Sequence, residues 1–312
     1  MSHTFDQFVR FTTDAVGLER TFRLFQSIAQ ILHSYTFPLE CLLFLLACLP
    51  ASAIGGAGSA GSNGSSAPDT AATRAALVGL RIKLNLARRY FRLFRFLESF
   101  GAAQKLYASL SSPSPSPSPS QSSLARQAVW IDVFGRTFNG MYLLLEASTF
   151  LDVQKVEGLA IWSPEMEGKI AVEGQRFWLF SLACGALAGL VRIVDVLTSA
   201  PAPVPASRDA KDGDRDEDEK TSSEGDEDGS DRKSPKEDQT EYLAWRREAR
   251  SKISGLSRRV VTDALDITIP GSIVGWVPVS TGTVGLAMFV TTVITGMEVW
   301  ERCGREVNGS KK

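Results

Sequence analysis

The 312-residue sequence predicts an all-α, membrane-associated protein in which long amphipathic helices and one or two transmembrane helices are interrupted by disordered linkers. Three observations predict this class. Residues 73–110 contain no Pro and separate apolar from basic residues with helical periodicity. Two later segments, 177–197 and 279–299, approach the length and apolarity of a bilayer span. Between the helical segments lie stretches of Ala/Gly/Ser, Ser-Pro and Asp/Glu/Lys with too few apolar side chains to build a core.

The net charge of −1 conceals segregation, with an acidic excess in one central run and a basic excess in one helix. Four Cys lie in or beside apolar segments without paired spacing, so reduced thiols are expected. Two His make no metal site without distant carboxylates, and no cofactor is expected. The beginning of the sequence mixes Phe, Asp and Arg without a secretory n-region and h-region, and the end is not the Ser-Lys-Leu address, so any organelle address is expected to be internal.

Residues 1–49 predict an amphipathic helix over 4–35, with Gly17 as its weak point, and a short, more apolar helix starting near Pro38. Residues 50–72 read as a Gly/Ser/Ala linker. In 73–110, Arg74, Arg81, Arg88 and Arg95 recur every seven residues, and Arg92 falls on the same side. With Lys83 and Arg89 they make seven basic residues before the first acidic one, Glu98. Ile82, Leu86, Leu93 and Leu97 fall opposite, and Phe91 and Phe94 widen the apolar arc.

This is the composition of a helix in a membrane interface. Each Lys or Arg near an anionic bilayer contributes roughly 1 kcal/mol. A fully buried Leu or Phe contributes about 1.5–3 kcal/mol, so apolar insertion should dominate while charge selects the leaflet. A helix inserted in one leaflet is expected to bend the membrane. The same pattern also fits a helix packed in a protein bundle with its arginine stripe solvated. Nucleic acid fits less well, because the aromatics sit on the apolar side and not among the charges.

Residues 111–123 hold alternating Ser-Pro, which forbids helix and predicts an extended spacer. Helical periodicity resumes over 124–159, where Asp132, Arg136, Glu146 and Asp152 argue against a span. The Ile161-Trp162-Ser163-Pro164 run is the next break. Residues 177–191 carry no charge but reach only about 22 Å as helix. Extension to 197 repairs the length, provided Arg192 snorkels or faces protein. Gly185 and Gly189 form a GxxxG pattern and are assigned to close helix packing. A buried soluble helix remains an alternative for this segment.

Residues 200–240 are low in apolar side chains and are expected to be disordered. Helix character with a basic bias returns from 241, and 279–299 is the strongest transmembrane signal, with Trp276 and Trp300 near the expected interfaces. Arg302, Arg305, Lys311 and Lys312 favour a cytosolic C-terminus. The sidedness of the 200–260 loop is left open, because its basic half argues against a lumenal position.

No GxxxxGK[ST], HExxH, CxxC or GxSxG pattern is present, and no enzyme is expected. Two alternatives stand beside membrane remodelling. One is an oligomeric pore for small metabolites, with Arg192 and Glu146 as lining candidates. The other is a structural tether.

Four islands resemble the peroxin-11 family of peroxisomal membrane proteins, in a divergent, fungal-type form with long linkers. The first is Thr12-Thr13, Gly17-Leu18-Glu19-Arg20 and Arg23-Leu24-Phe25-Gln26. The second, the most recognisable, is Arg88-Arg89-Tyr90-Phe91-Arg92-Leu93-Phe94-Arg95-Phe96-Leu97-Glu98. The third runs from Arg176-Phe177-Trp178 through Arg192, and the fourth joins Asp263, Gly282-Thr283-Val284-Gly285 and the last apolar helix. The resemblance implies an integral peroxisomal membrane protein that promotes elongation, proliferation and fission of peroxisomes. It implies that the amphipathic helix remodels an anionic phospholipid membrane, that the protein self-associates, and that it works with dynamin-type fission machinery.

Overall fold

The computed structural model describes residues 3–48, 70–111, 122–156, 158–199 and 235–309, and among them the chain is all helix with no strand. The expected linkers at 50–72, 111–123 and 200–240 fall almost wholly outside the described residues. Their described margins, 70–72 and 235–240, are helical.

The helix expected over 4–35 is two helices, α1 (His3–Thr13) and α2 (Ala15–Ser34). Asp14 leaves helical geometry, and its carboxylate accepts the Gly17 N–H at 3.1 Å, capping α2. Gly17 permits the junction, since a Cβ there would stand 2.1 Å from the Phe11 carbonyl oxygen. α3 (Thr36–Cys48) leaves α2 at a bend of 105°.

The helix expected over 73–110 is also two, α4 (Thr70–Arg92) and α5 (Arg95–Ser111). The break at Leu93–Phe94 contains neither Pro nor Gly, so no residue type announced it. Its cause is tertiary: α4 packs on α2, whereas α5 packs on α6 (Ser123–Ser148).

The helix expected to end near Gly158 stops at Ser148, and a short α7 (Phe150–Gln154) follows. Lys155 then takes the left-handed conformation at φ 52°, and one Asp152 carboxylate oxygen accepts the backbone N–H groups of Ile161 and Trp162 at 2.7 and 2.8 Å. The chain thereby reverses into α8 (Pro164–Thr198), which Ser163 caps and Pro164 opens. α9 (Pro235–Asp266) and α10 (Thr268–Val274) follow. Gly275, at φ 83°, ends α10, and α11 (Thr281–Gly309) completes the chain.

α6 and α8 pack most extensively; α2 lies between α4 and α11, and α9 lies along α8. Helices α2, α4, α6, α8, α10 and α11 close into a ring whose successive members touch. α8 and α11 are each long and apolar enough to cross a membrane, and the bent pair α2–α3 is a third candidate. The segments expected to span, 177–197 and 279–299, lie within α8 and, apart from its first two residues, α11.

Several charged and polar residues are buried while many large apolar ones are exposed. Glu19, Arg23, Gln30, Arg88, Asp266 and Thr291 are buried, while Phe37, Phe44 and Phe94 are 75%, 70% and 70% exposed. In water this would forfeit several kcal/mol of apolar burial; against hydrocarbon the outward face is satisfied and polar groups must pair within the protein.

Candidate functional site

Arg88 and Arg92 lie one helical turn apart on α4, yet they bind different helices. Arg88 donates to Glu19 on α2 at 2.9 Å and to the Gln26 side-chain oxygen at 2.8 Å. Arg92 donates to Glu146 on α6 at 2.8 Å, where the Tyr142 hydroxyl also donates at 3.2 Å. Arg89 stands 3.7 Å from the same carboxylate. From α2, Arg23 reaches Asp266 at the end of α9 and Thr291 of α11, and Thr291 donates to Asp266 at 2.6 Å.

These guanidiniums border a cavity of about 600 Å³ at the centre of the helix ring. Its basic wall is Arg23, Arg81, Arg88, Arg89 and Arg92, and Glu146 is the acidic residue among its lining. Ile269, Ile273, Val279, Val284 and Met288 form an apolar wall, and Trp178 and Gln175 contribute from α8. Burial, and next the proximity of Arg92, push the Arg88 guanidinium down to about 10 against the opposing pull of Glu19. Burial raises the Tyr142 hydroxyl to about 12, so it remains a donor.

The residues assigned to lipid contact from sequence therefore separate. Arg88, Arg89 and Arg92 turn inward to carboxylates, and Arg81 lines the cavity. Arg95 is half-buried at 3.9 Å from Glu19 and 3.7 Å from Glu98. Arg74 is half-buried near the start of α4, and Lys83 is exposed. Ile82, Phe94 and Leu97 point outward at 56%, 70% and 61% exposure. Leu86 and Leu93 are half-buried, and Phe91 stacks on Phe22 of α2 with ring centroids 5.6 Å apart. The bundle alternative, with its arginine stripe solvated, does not describe Arg88, Arg89 and Arg92, which meet carboxylates of neighbouring helices.

Gly185 and Gly189 lie where α8 meets α9. A Cβ at Gly185 would stand 2.5 Å from an Asp263 carboxylate oxygen, and one at Gly189 would stand 2.5 Å from a Val260 methyl. Of the pore-lining candidates, Arg192 pairs with Asp132, and Glu146 is held by Arg92 and Tyr142. The residues that sequence reasoning missed are the carboxylate partners Glu19 and Asp266. A sign of such pairing was present in Glu146, a single carboxylate following Leu143, Leu144 and Leu145. Among the described residues no group of three or more His, Cys, Asp or Glu is placed to hold a metal ion, and all four Cys are free thiols.

Apolar side chains outside, paired charges inside and two helices of spanning length define a helical membrane protein. The chain belongs to the Peroxisomal biogenesis factor 11 (PEX11) family, whose model matches residues 65–300. Membership makes it a peroxisome biogenesis factor of the peroxisomal membrane. The matched span begins after α3, so the first of the four islands lies outside it. No curated protein and no solved structure matches the chain.

Proposed function

We propose that the protein curves and elongates the peroxisomal membrane ahead of fission by seating the outward face of α4 and α5 in one leaflet. The observation that carries this reading is the division of the two helices. Leu80, Ile82, Tyr90, Phe94 and Leu97 are exposed, while Arg88, Arg89 and Arg92 between them are drawn to Glu19 and Glu146. Inward pairing removes the electrostatic barrier to sinking the helix below the headgroups. Each apolar side chain that enters hydrocarbon then contributes about 1.5–3 kcal/mol. Area is added to one leaflet, and α8 and α11 anchor the wedge as spans. Exposed Lys83 is placed to meet an anionic headgroup at roughly 1 kcal/mol. Self-association and recruitment of dynamin-type machinery belong to this reading through the family resemblance.

The test is reconstitution of the full chain in anionic liposomes, with electron microscopy of their shape. Tubules are expected. The triple variant Ile82→Ser, Phe94→Ser, Leu97→Ser alters exposed side chains only, so it should insert and fold but leave the vesicles round. Tubulation at parental level by that variant overturns the wedge.

A further inference from the structure

The central cavity is built for more than holding helices together. A structural lattice of buried ion pairs balances its charges, because an unmatched buried charge is costly. This lattice does not balance. Five guanidiniums line the cavity, from Arg23, Arg81, Arg88, Arg89 and Arg92. The carboxylates that serve them are three: Asp266 for Arg23, Glu19 for Arg88, and Glu146 shared by Arg89 and Arg92. Glu19 is further divided, with Arg20 and Arg95 each 3.9 Å away. Two positive charges remain over, in a space of about 600 Å³.

Hydrogen bonding shows the same surplus. Among the described residues, the Nε atoms of Arg23, Arg89 and Arg92 are enclosed and make no hydrogen bond, the Arg89 Nε standing 3.7 Å from Glu146. The Arg23 and Arg92 side chains are only 5% and 10% exposed. Enclosed guanidinium forks with spare donors match the oxygens of a tetrahedral oxyanion better than any neutral guest. The cavity's position adds a constraint. Its lining includes 171–178 of α8 and 281–288 of α11, the level at which the two candidate spans enter their apolar stretches. Its lining also includes Ile82 of α4 and Ile273 of α10, both of them exposed.

We propose that this cavity binds a phosphate-bearing anion, its phosphate seated among Arg23, Arg81, Arg89 and Arg92. The apolar wall and the interfacial level favour a phospholipid headgroup whose chains leave past Ile82 and Ile273; a small soluble phosphate shares the same anchoring chemistry. Six helices, α2, α4, α6, α8, α10 and α11, contribute to the cavity's lining, and the arginines that hold the anion are distinct from the exposed apolar residues of α4, of which Ile82 alone also lines the cavity.

The experiment uses the full chain in a neutral detergent and follows thermal unfolding and equilibrium binding. The probes are inorganic phosphate, glycerol 3-phosphate, short-chain phosphatidic acid and, as a zwitterionic control, short-chain phosphatidylcholine. Saturable stabilisation by at least one of the first three, stronger than by the control, is expected. Phosphatidic acid acting alone assigns the site to a lipid headgroup; glycerol 3-phosphate or phosphate acting equally well assigns it to a soluble anion. Arg81→Gln, which leaves the ion pairs of Arg88 and Arg92 in place, should weaken binding at least ten-fold, whereas Lys252→Gln, on α9 with its side chain 61% exposed and outside the cavity lining, should not. Absence of saturable binding by all three phosphate probes, or equal losses in the two variants, overturns the proposal. The readout requires no bending of a membrane, so it stands or fails apart from tubulation.

Discussion

Arg88 of α4 and Glu19 of α2 meet at 2.9 Å with side chains 7% and 4% exposed, across 69 residues of chain. The contact turns the basic face of α4 toward α2 and leaves Ile82, Phe94 and Leu97 to the outside. Glu19→Ala leaves a guanidinium enclosed without its carboxylate, a change that typically costs about 3–5 kcal/mol. Thermal unfolding in detergent should show a large loss for Glu19→Ala and a partial recovery in the charge-exchanged pair Glu19→Arg with Arg88→Glu. Equal stability of Glu19→Ala and the parent would remove this pair from the account of how α4 is oriented.

The second anchor, Arg92 with Glu146, carries a neutral helper in Tyr142. Tyr142→Phe keeps the ring stacked on Trp178 and removes one hydroxyl donor to a charged acceptor. The expected cost is about 1.5–3 kcal/mol, the range for hydrogen bonds to charged groups. Urea titration monitored by Trp fluorescence measures it.

At the α8–α9 contact, Gly185→Val and Gly189→Leu place methyl groups where Asp263 and Val260 already stand. Each should destabilise by about 1–3 kcal/mol, as overpacking does. Gly296→Ala, on α11, where a Cβ would meet nothing within 4 Å, is the control and should be neutral or slightly stabilising in helix. Limited proteolysis of the full chain distinguishes them.

Burial first, opposed by Arg259 and assisted by Asp266, raises the Asp263 carboxyl from 3.8 to about 6. A carboxyl raised in the folded state holds its proton more tightly there than when unfolded. Its stabilising contribution is complete below about pH 3.8 and is lost as pH rises through about 6. Asp263→Asn should therefore be more stable than the parent at pH 7.5, by about 1–2 kcal/mol given partial exposure of the group, and should lose that advantage at pH 4. Melting curves of both proteins at the two pH values provide the comparison, and a constant difference would show that Asp263 does not titrate in this window.

Much of the secondary structure was legible in the residues. Ser163-Pro164 marked the start of α8, and the charge-free residues around 177–191 and 279–297 marked the helices of spanning length. The breaks at Asp14 and at Leu93–Phe94 were not legible as breaks. Gly17 gave a weak sign of the first, and no residue type signalled the second, because each half of the 70–111 segment follows a different partner helix. Within the cavity, Glu146 stood out as a carboxylate in an apolar run, but its partners did not.

The sequence by itself determined that this chain is helical, that 279–299 matches a bilayer span while 177–197 approaches one, and that α4 has a basic and an apolar side. Those properties are local: they depend on residue type and on a repeat of 3.6 residues per turn. Tertiary structure alone decided which side of α4 faces inward. Periodicity fixes the angle between two faces but not the direction in which either points, and that direction is set by carboxylates 69 and 54 residues away, Glu19 and Glu146, which are satisfied only where the arginines meet them.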